Sequence, residues 1–322
     1  MVHNVRLDYL DNLKGFLIVC VVLGHSIQFS NPNFDNVPLF RFIYSFHMPL
    51  FMWISGYVNY RVETKLGILK RRAVQLALPF VTWVSLHSVI RMDLHHWIDV
   101  ICNPTVSVWF IWDLFLMICF TTCVSYWSEK YRRPALVVTL IAYVFMQVGI
   151  KACHTEFLGI SHALDLGWFY LLGFFMKKYD VFGKYMTAGW GGVIFLLFLI
   201  GCLFWQRKQP PTFLPDGGKA VMLAYKMTVA CLACVSIPLL FKRFLNTNIK
   251  ILTYLGQQTL GIYVIHMSVI FYVIGWFERY SCLGNVYLNY AGITIITLAI
   301  SQIVNVLLLK NRWTNLIFLG KK

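Results

Sequence analysis

The chain has 322 residues, of which 59% are hydrophobic and only 13% charged, with a mean hydropathy of +0.66. Soluble domains carry about 25% charged residues, so 28 basic and 13 acidic side chains are too few to clothe a water-exposed surface of this size. The same composition excludes disorder, a collagen-like fibre and a disulfide scaffold, and leaves an all-α polytopic integral membrane protein.

A membrane-crossing helix needs about 20 mainly apolar residues. In chain order, the apolar runs predict spans at 13–30, 39–60, 73–92, 105–125, 134–152, 163–176, 187–205, 219–241, 256–276 and 285–309. No cleavage pattern precedes the first of these ten, so it is expected to be retained. The net charge of +15 does not point to nucleic acid, because the basic residues sit in short clusters between apolar runs. With the N-terminus placed inside, 20 of the 28 basic residues fall in inside segments, including Lys70, Arg71 and Arg72. Both termini are then cytoplasmic. Residues 1–322 read as a single transmembrane domain in the inner (plasma) membrane, surrounded by lipid. The nine cysteines are scattered. Cys231 and Cys234 form a CxxC with no second pair at zinc-finger spacing, so they read as packing residues and no metal is expected.

Ionisable side chains inside a span are costly unless paired or facing water, which makes each a functional candidate. Lys14, His25, His47, Asp113, Lys226 and His266 are such residues, and His87 lies closer to the end of its span. At a rise of about 1.5 Å per residue, five of them, from five different spans, fall between the midplane and the outer third. A shared polar cavity built from His25, His47, Asp113, Lys226 and His266 is therefore expected. Lys14 and His25 are eleven residues apart, which places them on one helix face about 16 Å apart along the axis. That suits an anion-binding mouth at the inner end and a proton-handling group further in. Lys14 alone also reads as a snorkelling anchor, and Asp11 lies three residues away as a pairing partner. His-Met-Pro at 47–49 predicts a break at Pro49, where the His47 ring is placed to satisfy freed backbone carbonyls. Ser55 beside Gly56 reads as a packing residue.

Four segments carry a resemblance. Arg6-Leu-Asp-Tyr-Leu-Asp-Asn-Leu-Lys14-Gly15, followed by an apolar run to Gly24-His25, resembles the first helix of the integral-membrane acyltransferase 3 family, marked by a basic residue, ten intervening residues and a histidine. Lys14 stands where arginine is commoner, as in the branch that resembles fucose 4-O-acetyltransferases. Phe46-His47-Met48-Pro49-Leu50-Phe51 through Ser55-Gly56-Tyr57 is similar to the family's second helix. Val108-Trp109-Phe110-Ile111-Trp112 sits where a Trp-Phe pattern is expected, and Leu255-Gly256 through Ile265-His266 resembles a late helix motif. The resemblance implies transfer of an acetyl group from cytoplasmic acetyl-CoA to a hydroxyl of an extracytoplasmic saccharide or lipid-linked glycan. Under it, His25 is the expected base, with His47 and Asp113 beside it in the catalytic set. Lys14, Arg71 and Arg72 are expected to hold the donor, and Asp11, Trp109, Trp112, Lys226 and His266 to meet substrate. Histidine suits the base role because its ordinary pKa of about 6.5 lets it accept a proton near neutrality. A transporter or flippase with a polar midplane site is the main alternative, though only one broken helix is evident. A structural membrane subunit would leave five buried ionisable groups unexplained.

Overall fold

The computed structural model describes residues 7–61, 65–104, 108–153, 157–186, 188–216, 218–280 and 284–321; Arg6, at the head of the first motif, lies outside them. The described residues are helical and contain no strand. In chain order the helices are α1 (Asp8–Ser30), α2 (Pro38–Tyr44), α3 (His47–Asn59), α4 (Ile68–Arg72), α5 (Leu78–Arg91), α6 (Leu94–Cys102), α7 (Trp109–Lys130) and α8 (Ala135–Ala152). They continue with α9 (Ile160–Lys178), α10 (Val181–Lys184), α11 (Ala188–Leu203), α12 (Gly218–Phe244), α13 (Lys250–Gln257), α14 (Thr259–Tyr280), α15 (Val286–Lys310) and α16 (Arg312–Leu319).

Seven helical stretches among the described residues are long and apolar enough to cross a membrane: α1, Ile68–Ile90, α7, α8, α12, α14 and α15. Large apolar side chains stand exposed along them, such as Ile141, Phe145 and Val148 on α8 and Tyr272 on α14. A water-soluble surface rarely tolerates that density of exposed apolar groups, whereas lipid requires it. The protein is an all-α, multi-pass membrane protein. The remaining predicted spans coincide with α9, with the 16-residue α11 and with the α2–α3 pair.

The α2–α3 pair departs from expectation in one detail. The break falls at Ser45–Phe46 rather than at Pro49. Pro49 sits in the first turn of α3, where proline's missing N–H has no intrahelical partner to lose and its fixed φ suits the helix. Residues 73–77 form a π-helical turn joining α4 to α5, the kind of local bulge that recurs at functional sites.

The chain folds as two compact units, Met1–Ile54 with Asp180–Asn305, and Ser55–Tyr179 with Val306–Lys322. In the first, α1 is the organising helix and packs on α12, α13 and α14. Its approach to α13 requires glycine on both sides: a Cβ at Gly15 would collide with the Leu252 carbonyl, and one at Gly256 with the Asp11 carbonyl. The fully buried Asn12 ties the same seam together. Its amide donates to the carbonyls of Leu245 (2.8 Å) and Thr247 (2.7 Å), and its oxygen accepts from the Thr253 hydroxyl at 2.8 Å. Further along α1, Thr294 of α15 donates to Ser26 at 3.0 Å. These contacts fix the rotation of α1, and with it the direction in which His25 points.

In the second unit, α7 packs between α8 and α9. Tyr143 of α8 donates its hydroxyl to the Leu164 carbonyl. Gly167 of α9 leaves room for Tyr143 and Met117, where any Cβ would clash. Gly56 plays the same part against the Tyr170 backbone.

Candidate active site

Three histidines from three helices of the first unit come together. The partly buried His25 ring lies 5.4 Å from the buried His266 ring, centroid to centroid, and stacks on Phe29 at the same separation. The buried His47 is linked to His25 through Tyr44 and Gln28. Tyr44 stands beside His47, with its ring 4.7 Å from the imidazole.

Each ring is oriented by the same device. His25 Nδ1 donates to Gln28 Oε1 at 3.2 Å, one helical turn away, and that oxygen also accepts the Tyr44 hydroxyl at 2.5 Å. His47 Nδ1 donates to the Ile43 carbonyl at 2.8 Å, reaching back across the α2–α3 break. His266 Nδ1 donates to the Tyr263 carbonyl at 2.6 Å. Amide and backbone carbonyl oxygens only accept, so in the neutral rings the hydrogen is on Nδ1 and the lone pair on Nε2. His266 Nε2 is buried with no partner among the described residues. A buried polar atom left unpaired is costly, and such atoms collect where a ligand completes the site.

Lys14 and His25 share the unbroken α1. The Lys14 ammonium pairs with Asp11 at 2.6 Å, and Asp11 is buried. The structure thus pairs Asp11 with Lys14, holding its charge near the N-terminal end of α1. Lys226 belongs to a different cluster: its ammonium donates to the Arg207 carbonyl and lies 5.8 Å over the Trp205 ring. Arg207 pairs with Asp35 at 2.9 Å, and Arg41 donates to the Asp35 carbonyl at 2.6 Å. That polar collar braces the loop after α1.

Asp113 lies in the second unit, fully buried, and its partner there is a residue that the spans did not single out. His162 Nδ1 donates to Asp113 Oδ2 at 2.7 Å, and Trp109 meets the His162 ring edge-on at 4.7 Å. His162 stands one residue ahead of the predicted sixth span, and the structure puts it in the first turn of α9. Trp112 is a wall residue: its indole N–H donates to the Leu158 carbonyl at 2.9 Å and its face stacks on Phe80.

The second unit also holds a cavity of about 410 Å³ lined by three cations, Arg61, Lys65 and Arg71, with Asn59, Thr121 and Ser125 among its polar walls. Arg72 is directed elsewhere, donating to Asn59 at 2.6 Å and to Gln75 at 2.9 Å. Of the adjacent arginines expected to meet a donor, Arg71 faces the cavity and Arg72 buttresses its wall. Nothing in the spacing of Arg61 and Lys65 along the chain distinguishes them from ordinary loop cations, so only the fold brings them into view.

Comparison with known proteins bears on these sites. The family model of the acyltransferase 3 group, described as an acyltransferase domain, matches residues 7–306, taking in segments of both units. The nodulation protein NolL of Mesorhizobium japonicum is 34% identical over 121 residues, 33% of this chain and 32% of that protein. NolL of Sinorhizobium fredii is 40% identical over 89 residues, 26% of this chain and 24% of that protein. The chain thus matches about a quarter to a third of the length of these relatives. No solved structure matches it.

Proposed function

Because the chain belongs to the acyltransferase 3 family, whose model covers residues 7–306, we propose that it is an O-acetyltransferase moving acetyl from cytoplasmic acetyl-CoA to a hydroxyl of an extracytoplasmic cell-surface saccharide or lipid-linked glycan. That the chain is a membrane acyltransferase follows from the family; donor, acceptor and residue roles are our reading, as are ten spans with both termini cytoplasmic in an inner (plasma) membrane. Membership in an acyltransferase family displaces the transporter and structural-subunit readings.

The observation that carries the proposal is the common tautomer of the three histidines, which leaves a lone pair on each Nε2. We assign His25 Nε2 as general base. It takes the proton of the acceptor hydroxyl as that oxygen attacks the thioester carbonyl. The carbon–sulfur bond then breaks, and the imidazolium returns the proton to the departing thiolate, so no proton is gained or lost. His47 and His266 orient the acceptor. Lys14, held by Asp11, supplies positive charge at the inner end of α1.

The charge of the donor suits the second unit's cavity, whose Arg61, Lys65 and Arg71 offer fixed positive charge to phosphate groups. Asp113 and His162, with Trp109 against them, form a second polar centre in that unit, and Trp112 and Lys226 hold scaffold. The test is transfer of labelled acetyl from acetyl-CoA by the purified full-length protein to saccharide acceptors. Failure to consume acetyl-CoA with any hydroxylated acceptor would overturn the reading.

A further inference from the structure

The tautomers of the three histidines say something about the acceptor beyond its being a saccharide. Nε2 of His25 is committed to the reacting hydroxyl under the mechanism above. His266 then poses a separate question. Its ring is 1% exposed, its Nδ1 is used by Tyr263, and its Nε2 is an unpaired acceptor only 5.4 Å, ring to ring, from the base. A buried nitrogen lone pair wants a donor, and the nearest group that a polyhydroxylated ligand can offer is the hydroxyl adjacent to the one being acetylated. A phosphate, a carboxylate or an ether would present only further lone pairs to it. His47, whose Nδ1 is held by Ile43 in the same way, adds another acceptor of the same polarity.

We propose that the site recognises its acceptor through a vicinal diol: one hydroxyl surrenders its proton to His25, while its neighbour donates to His266 Nε2 and fixes which oxygen reacts. This rests on the O-acetyltransferase reading and narrows it from saccharides in general to acceptors with two adjacent free hydroxyls at the reacting position. His266 is then a specificity-determining residue, since it acts on the hydroxyl that stays unmodified. A site built to hydrogen-bond a hydroxyl discriminates strongly against analogues lacking it, because the buried partner is then left unsatisfied.

The experiment uses the full-length protein in nanodiscs, labelled acetyl-CoA, and dodecyl pyranosides as amphiphilic probe acceptors. Each acetylated pyranoside is compared with derivatives in which the hydroxyl next to the acetylated position is removed or O-methylated. The expected result is a fall of about 10- to 100-fold in kcat/KM for both derivatives. His266→Leu should lower kcat/KM much more for the parent diol than for the deoxy acceptor, so that the preference shrinks to within about 3-fold. Equal turnover of diol and deoxy acceptors by the wild-type protein would overturn the diol requirement and leave saccharide acetylation standing. Acetyl-CoA consumption with non-saccharide alcohols only would overturn both.

Discussion

Both units bury ionisable side chains at membrane-helix positions, and they settle them differently. In the first, each histidine gives its Nδ1 hydrogen to a neutral oxygen, and no acidic side chain is used, so the second nitrogen stays available. In the second, His162 takes one oxygen of the buried Asp113 carboxylate at 2.7 Å, while the other, Oδ1, has no partner among the described residues. The first leaves neutral ring nitrogens as acceptors, and the second leaves a carboxylate oxygen beside a partly exposed histidine. The difference lies in the charge of the group and in what orients it, and variants can probe it.

The largest effect is expected at His25. His25→Ala should lower kcat by about 10²–10⁴-fold, the usual cost of losing a general base, with thermal stability in detergent almost unchanged. Retention of more than about a third of the turnover would place the base elsewhere.

In the second unit the order should reverse. His162→Ala leaves the Asp113 carboxylate buried without its side-chain partner; with the His162 side chain 37% exposed, the cost should be about 1–3 kcal/mol, and a thermal melt should show it. Asp113→Asn, which removes the charge along with the ion pair, should cost less. If His162→Ala leaves stability intact and abolishes transfer, the contrast between the units is wrong.

Gln28 separates orientation from chemistry. Gln28→Leu removes the acceptor shared by His25 and Tyr44, freeing the His25 tautomer while keeping the ring. We expect a fall of about 10-fold in kcat, equivalent to roughly 1.4 kcal/mol, with donor affinity unchanged; a matching rise in the KM for acetyl-CoA would instead tie Gln28 to the donor.

The smallest effects belong to the cations. Arg71→Ala should weaken acetyl-CoA binding several-fold in isothermal calorimetry, corresponding to a charge-assisted contact of about 1 kcal/mol or more, whereas Arg72→Ala should act first on stability. Lys14→Ala should weaken donor binding, and Lys14→Arg should keep part of it because the charge survives. Indistinguishable affinities across all four proteins would leave these cations as interface anchors.

Much of this molecule is legible in its amino-acid order because the membrane is a demanding solvent. A backbone in lipid must satisfy its own hydrogen bonds, so runs of apolar residues become helices whatever their neighbours do. The costly residues among them, Lys14, His25, His47, Asp113 and His266, stand out without any structure. The break near His47 was legible too, though its exact place depended on proline's tolerance of a first turn, which moved it to Ser45–Phe46.

What a partner side chain decides was not legible. Nothing in the spacing of His25 and His266 places their rings 5.4 Å apart; that comes from Gly15, Gly256 and Asn12 setting the rotation of α1 in its unit. Nor could the sequence distinguish Arg71, which faces a cavity, from Arg72, which braces it, since adjacent helical residues differ by about 100° in direction and only packing selects which direction is inward. Asp113 and Lys226 looked alike at membrane depth until His162 and the Arg207 carbonyl claimed them. Composition and period determined the solvent, the helices and the list of expensive residues. Tertiary structure decided which of those residues were satisfied locally and which kept a lone pair for chemistry, because hydrogen bonding acts over about 3 Å and that distance is set by folding, not by order in the chain.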